Sequence, residues 1–440
     1  MTSLKQLFSR LLARISGGRT PLAIFDQALV SGANFLTNVL LARTLGLREY
    51  GVFALSWIAV LFVTSLQYAF VITPMMSVGP KQTNESRPSY FGAVLIHEFA
   101  FATMAALLLG GGVLLSTHFF PAWGVGPLAW PIAFASFAYM LQDFLRRYFF
   151  CVGKAKWALV TDIVSYVTQL PLLALLLYSH RTSLATVLWI IGGTSLLGFL
   201  GCLRLLERIS VSVAALRDVA WRHWTISRWL APSAFLQWGA GNLFAMAAPV
   251  YYGAAASAVL RAAQNIVGVS HIWFLGLENI VPAEASRKMQ EDGLEGMLSY
   301  VKRIFLVWGG ITLAFVGIVA AVPHFWLSVT YGSKYANEGS VLRLYALLYL
   351  ITFVSGPLRS ALLALEYTAP MFWAYPALIA FSAALAGPFA RSLGLNGVIL
   401  GMSATQVIFQ SIIGGCLLSR IRKVRAREKL REQGMLVGTM

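Results

Sequence analysis

"AVLRAAQNIVGVSHIWFLGLENIVPAEASRK", residues 258–288, reads as a membrane span that carries ionisable groups: Arg261 near its start, His271 in its middle and Glu278 near its end. A run of about 20 apolar residues can cross a hydrocarbon core of roughly 30 Å. It must cross as a helix, because lipid offers backbone groups no partners. A charged side chain at the centre of such a helix costs roughly 2.5–3.5 kcal/mol on insertion scales. At about 100° per residue, Arg261, Gln264, Asn265, Gly268, His271 and Glu278 fall within an arc of roughly 140°, interrupted by Ile272 and Leu275. A polar stripe of this kind predicts a helix that lines a cavity. The competing readings are local: snorkelling of the Arg261 stem to the interface, hydrogen-bonded packing of His271, and an ion pair between Glu278 and nearby bases such as Arg287.

The rest of the chain has the same character. Of 440 residues, 58% are hydrophobic and 12% charged, about half the charge of a soluble domain. Mean hydropathy is +0.71. These values exclude a single soluble core and give an all-α, polytopic membrane protein. Apolar runs predict about twelve spans, at 21–42, 50–72, 90–116, 128–145, 157–178, 184–203, 229–250, 254–283, 300–322, 338–357, 369–389 and 394–418. Pro74, Pro121, Pro127, Pro323 and Pro370 fall at or near the breaks, where proline interrupts no helix. Twelve spans put both termini on one side. Of the 34 Lys and Arg, 27 fall on that side and 5 on the other (Arg43, Arg48, Arg181, Lys334 and Arg391), with Arg261 and Arg343 inside spans. Cytoplasmic loops carry the excess of Lys and Arg, so both termini are expected in the cytoplasm and the net charge of +17 reports topology rather than nucleic-acid binding. Cys151, Cys202 and Cys416 are too scattered for a disulfide framework.

The domain reading is a cytoplasmic amphipathic segment over 1–20, a six-helix bundle over 21–203, a basic link over 204–228, a second six-helix bundle over 229–418 and a basic tail over 419–440. In the first segment Leu4, Leu7, Phe8, Leu11, Leu12 and Ile15 recur at helical spacing among Lys5, Arg10 and Arg14, which suits a helix lying on an anionic surface. The link carries Trp221, Trp224 and Trp229 for the interface. Residues 31–55 can be laid over 238–262, bringing Gly32 and Ala33 onto Gly239 and Ala240. Two halves of even span number make a parallel repeat, as in several transporters.

"LLARTLGLREYGVFALSW", 40–57, resembles the first-span boundary of the Wzx-type polysaccharide flippases of the MOP exporter superfamily, which also holds the multidrug MATE transporters. Ala42, Arg43, Leu45, Gly46, Glu49, Tyr50 and Gly51 carry the resemblance, with support from "NIVPAEASR" at 279–287 and "GLNGVILGMSATQV" at 394–407. The resemblance implies two six-helix bundles, an inner-membrane location and outward movement of an oligosaccharide linked to polyprenyl pyrophosphate, for O-antigen, capsule or exopolysaccharide synthesis. A polysaccharide polymerase and a chain-length regulator would be its partners. A MATE-like ion-coupled exporter of small molecules is the alternative, and a membrane polymerase or ligase a more distant one.

Within that reading, other polar groups in the spans become candidates. Span one carries Asp26, Gln27, Ser31, Asn34, Thr37 and Asn38 on one arc, a wall for sugar hydroxyls, with Asp26 as an ion or proton site or an interfacial carboxylate. Arg261, Arg343, Arg43 and Arg48 suit a pyrophosphate, since guanidinium makes bidentate charge-assisted bonds to phosphate oxygens. The alternatives are local pairs with Glu49 and Glu338. Glu98, deep in span three, is a candidate for ion coupling beside Asp26 and Glu278. Its "HEFAF" setting lacks the second histidine of a metalloprotease helix, so no metal site is expected. Asp143 reads as a helical ion pair with Arg146 and Arg147, and Asp162 as a partner for Lys154 and Lys156. No phosphate-binding glycine loop or nucleophile elbow is present. That predicts no cofactor, no direct use of ATP and a transporter rather than an enzyme.

Overall fold

A computed structural model of the chain describes residues 20–119, 121, 125–178 and 183–432. Apart from Thr20, the amphipathic segment expected over 1–20 lies outside the described residues, as do Arg181 and the last residues of the basic tail. All regular structure among the described residues is helical. Eight helical stretches among them are long and apolar enough to cross a membrane. Two of these are double: Ala254–Ala321 bends at Gly293 and Ala369–Ala426 at Gly394, each glycine having positive φ. The helices before Gly46 in Thr20–Gln67 and at Val213–Tyr252 complete a set consistent with twelve.

Several boundaries differ from the sequence expectation. Pro74 does not end span two. A π-helical turn at Tyr68–Ile72 precedes it and helix resumes over Thr73–Val78, so the proline, with no N–H to give, sits inside a continuous helical stretch, and the Phe70 carbonyl four residues back accepts from Ser227 Oγ at 3.4 Å. A second π turn, Ile163–Val167, lies inside span five. Span eight is also broken. Ala254–Val267 passes through a 3-10 turn at Gly268–Ser270 before helix resumes at His271. Each 3-10 residue advances about 120° instead of 100°, so three of them rotate the lower half by roughly 60°. That turn carries His271 and Glu278 toward the arc of Arg261, Gln264 and Asn265, so the stripe keeps to one face and is interrupted only along its length. The connection after span nine contains a short helix, Pro323–Tyr331, and a 3-10 run, Ser333–Glu338.

The chain forms two compact units that part between Phe235 and Leu236. In the first, Met75, Phe91, Phe144, Tyr148, Phe149 and Phe199 build the core. The link after span six is non-helical to 212, and from Val213 it becomes part of a helix that continues to Tyr252. Val219 of that helix packs into the same core, while Trp221 and Trp224 stay exposed. The link closes on span three at Gly92. A Cβ there would come within 2.2 Å of the Ser210 carbonyl oxygen, and the Ser210 amide donates to the Pro88 oxygen at 3.0 Å. In the second unit Ala285, Met297, Leu362, Leu378 and Ile413 form the core. Lipid gives helices no hydrophobic reason to associate, so close backbone approach matters more. Gly401 shows it: a Cβ would stand 1.9 Å from the Phe244 ring.

The two halves share one backbone device. Gly46, between spans one and two, has φ 80° and ψ 169°. Gly253, between spans seven and eight, has φ 73° and ψ 177°. The register that superposes Gly32 on Gly239 also superposes these two glycines. That conformation is essentially restricted to glycine, so the repeat is carried by backbone geometry where few side chains match.

Candidate functional sites in the two units

The first unit holds a buried charge centre. Arg146, on the helix Ala129–Cys151, donates to Asp26 Oδ2 from Nη2 at 2.6 Å and from Nε at 3.1 Å. Asp162 Oδ2 lies 2.7 Å from the same Nε, and Gln142 donates to Asp162 Oδ1 at 2.6 Å. Asp143 Oδ1 stands 3.7 Å from Arg146 Nη1 and 3.5 Å from Arg147 Nε. Asp26 and Asp162 are fully buried and Arg146 is 7% exposed. Three acids thus surround two bases inside the bundle. The Asp143 pairing agrees with the sequence reading, and the remainder corrects it. Asp162 closes on Arg146 and not on Lys154, which pairs instead with Glu207 at 3.2 Å. Asp162 ends the helix Ala155–Asp162 on its buried side, next to the π turn. Asp26 is thus held inside the bundle by Arg146.

The span-one stripe knits this unit together. Gln169 donates to Thr37 Oγ1 at 3.0 Å, and Tyr50 donates its hydroxyl to Asn38 Oδ1 at 3.0 Å. Asn38 donates in turn to the Asn34 carbonyl at 2.8 Å. Arg43 and Arg48 are exposed on either side of Gly46. Glu98 is fully buried, and Gln67 donates to its Oε1 at 2.7 Å and to the Met140 carbonyl at 2.9 Å.

The second unit contains a cavity of about 370 Å³ built from spans seven to twelve, with Ile304 as the contribution of span nine. Its polar lining includes Gln237, His271, Glu278, Arg359, Tyr375 and Gln406, and its rings include Phe274, Phe353 and Phe409. Gln237 donates to the Tyr375 hydroxyl at 3.0 Å, and His271 Nε2 lies 3.1 Å from the Tyr349 hydroxyl. Pro282 and Pro357 stand inside their helices, four residues after Glu278 and Phe353. Proline has no N–H, so those two lining residues keep carbonyls without a helical donor. Glu278 does not join Arg287, which pairs with Glu284 and Glu291. Of the expected span-eight stripe, His271 and Glu278 line the cavity. Arg261, Gln264 and Asn265 lie beyond the 3-10 turn, where Arg261 donates to Gln264 at 3.3 Å. Arg343 is exposed and donates from Nε to the Ala320 carbonyl at 3.1 Å; its partner is backbone and not Glu338. Sequence reasoning missed Arg359, Gln237, Tyr375 and Gln406. Arg359 reads as one more inward-side base, and the others are single polar residues with no pattern.

The all-helical fold of two such units has counterparts among solved structures. The chain has the fold of the MATE-family transporters of the MOP superfamily. It is similar to an inward-facing multidrug resistance MATE transporter with TM-score 0.70 and 13% identity, covering 90% of this chain and 95% of the other. It is also similar to a mutant of the MATE transporter VcmN from Vibrio cholerae, with TM-score 0.62, 14% identity and coverage of 98% and 99%. A third match is a MOP superfamily transporter from Pyrococcus furiosus described as having reversed binding-pocket polarity, with TM-score 0.62, 12% identity and coverage of 92% and 96%. No protein-family model and no curated protein matches the sequence.

Proposed function

We propose that this protein moves a polyprenyl-pyrophosphate-linked oligosaccharide across the inner membrane by alternating access. The observation that carries the reading is the lining of the second-unit cavity. Two carboxamides, hydroxyls, an imidazole and one guanidinium share it with three phenylalanine rings. Carboxamides and hydroxyls exchange hydrogen bonds with sugar hydroxyls, and Arg359 offers a fork for a phosphate. The polyprenyl tail would stay in lipid, and a polymerase would take the product outside. Arg261, Arg343, Arg43 and Arg48 remain in this reading as guides for the pyrophosphate, and Asn34, Thr37 and Asn38 as sugar contacts in the other unit.

The test is the leaflet distribution of lipid-linked oligosaccharides in cells lacking the gene, read with an impermeant glycan-modifying probe. Units trapped on the inner leaflet support the proposal, and Arg359→Ala should reproduce the trapping. Units that reach the outer leaflet unpolymerised, or no change in any lipid-linked glycan, would overturn it. A second reading, export of a cationic small molecule, is favoured by Glu278. It is an exposed carboxylate in the cavity that makes no hydrogen bond or ion pair among the described residues. Loss of cation efflux in Glu278→Gln with normal lipid-linked glycans would establish that reading.

A further inference from the structure

The first unit contains a second polar contact, between spans two, three and four. Glu98 is fully buried on the helix Arg87–Phe119, and Gln67 is fully buried at the residue before the π turn Tyr68–Ile72. Gln67 spends both amide hydrogens, one on Glu98 Oε1 and one on the Met140 carbonyl. Two acceptors are then left buried and without a partner, Glu98 Oε2 and Gln67 Oε1. A buried acceptor with nothing to accept carries the full desolvation cost of that group, and an unpaired carboxylate costs far more. Among the described residues no base pairs with Glu98. The charged groups facing it come from the helix Ala129–Cys151, where Asp143 is itself an acid. Arg147, also on that helix, is engaged with Asp143 at 3.5 Å and over the Tyr68 ring at 5.2 Å. Arg146 is engaged with Asp26 and Asp162.

One proton resolves the contact. Placed on Oε2, it removes the charge and turns that oxygen into a donor. The amide already bound to the other carboxyl oxygen supplies the matching acceptor, Gln67 Oε1. Acid and amide then form a reciprocal pair that clasps spans two and three, with the second amide hydrogen holding span four. We propose that Glu98 is a proton-binding site, separate from the Asp26–Arg146–Asp162 centre, and that its proton closes this clasp. Loss of the proton leaves a carboxylate beside Asp143 and opens the clasp next to the π turn, a local irregularity common at functional positions. The site goes beyond the proposed cargo and does not depend on it.

The test is substrate-free. Infrared spectra of the full-length protein in lipid nanodiscs report protonated carboxyl groups through their C=O stretch. The wild type at neutral pH should show a buried-acid band that Glu98→Gln removes by one carboxyl equivalent. Gln67→Leu, which keeps the acid and takes away the amide, should keep the band and move it to higher frequency. Absence of an acid band in the wild type, an unchanged band in Glu98→Gln, or an unshifted band in Gln67→Leu would each overturn the proposal. The Gln67 variant keeps the test decisive if Glu98→Gln fails to fold. None of these spectra involves a glycan, so failure here leaves the flippase reading standing, and the reverse holds.

Discussion

Replacing Arg146 with methionine isolates what the buried charge centre contributes. The guanidinium lies within 3.1 Å of Asp26 and 2.7 Å of Asp162, and both carboxylates are fully buried. Methionine keeps the stem's volume and withdraws the one base among the described residues that pairs with both acids. Removing one partner from a buried pair costs about 3–5 kcal/mol, because the remaining charge is left uncompensated. At about 1.4 kcal/mol per decade, the unfolding constant should rise by roughly two to four decades. The assay is unfolding of the purified protein in mixed micelles by titrated dodecyl sulfate, followed by tryptophan fluorescence. The same argument makes a second demand. Asp26→Asn and Asp162→Asn, combined with Arg146→Met, leave no orphan charge, so the triple variant should recover most of the loss. A single variant within about 1 kcal/mol of the wild type, or a triple variant no better than the single, would refute the assignment of Arg146 as the counter-charge.

Gly46→Val and Gly253→Val should each destabilise their own unit by about 1–3 kcal/mol, since both positions hold a backbone conformation that only glycine adopts cheaply; thermal unfolding of the two variants checks it. Gly92→Ala must displace the Ser210 carbonyl that sits 2.2 Å from the new Cβ, so hydrogen exchange at residues 208–216 should accelerate while exchange elsewhere in the unit holds. His223, in the link, lies 2.9 Å from the Tyr90 hydroxyl, and burial, with the charge of His97, holds its imidazole down at about 4. The unfolded imidazole titrates near 6.5, so between those values the unfolded state binds more protons and stability falls as pH falls. The slope should approach about 1.4 kcal/mol per pH unit, and His223→Asn should flatten it.

What the sequence disclosed depended on range. Apolar run length is a local signal, and the twelve-span reading agrees with the helical architecture for that reason. Glycine placement is equally local, and the overlay of residues 31–55 on 238–262 already contained the Gly46–Gly253 correspondence. The Asp143–Arg147 pair was legible because four residues is one helical turn. Asp26–Arg146 was not, because the partners are 120 residues apart and helix periodicity says nothing about which face meets which. The span-eight stripe assumed an uninterrupted α-helix. Nothing in "VGVSH" announces a 3-10 turn, and angular counting says nothing about depth, so Arg261 was assigned to the same cavity as Glu278 although it does not line it. Arg359 was hidden in another way, since its charge was already accounted for by topology.

The two π turns have a consequence for how this chain compares with its relatives. A π turn holds roughly one residue more than the α turn it replaces. Tyr68–Ile72 follows Gln67 directly, and Ile163–Val167 follows Asp162 directly. Each surplus residue therefore lies in mid-helix, one step past a buried polar side chain. Deleting one residue in either turn would restore a regular ladder and rotate the helix beyond it by about 100°. Relatives that lack the polar core should be shorter by a single residue inside each of these two spans. Alignment that confines gaps to loops would shift the helix end past each turn by one position and hide the correspondence.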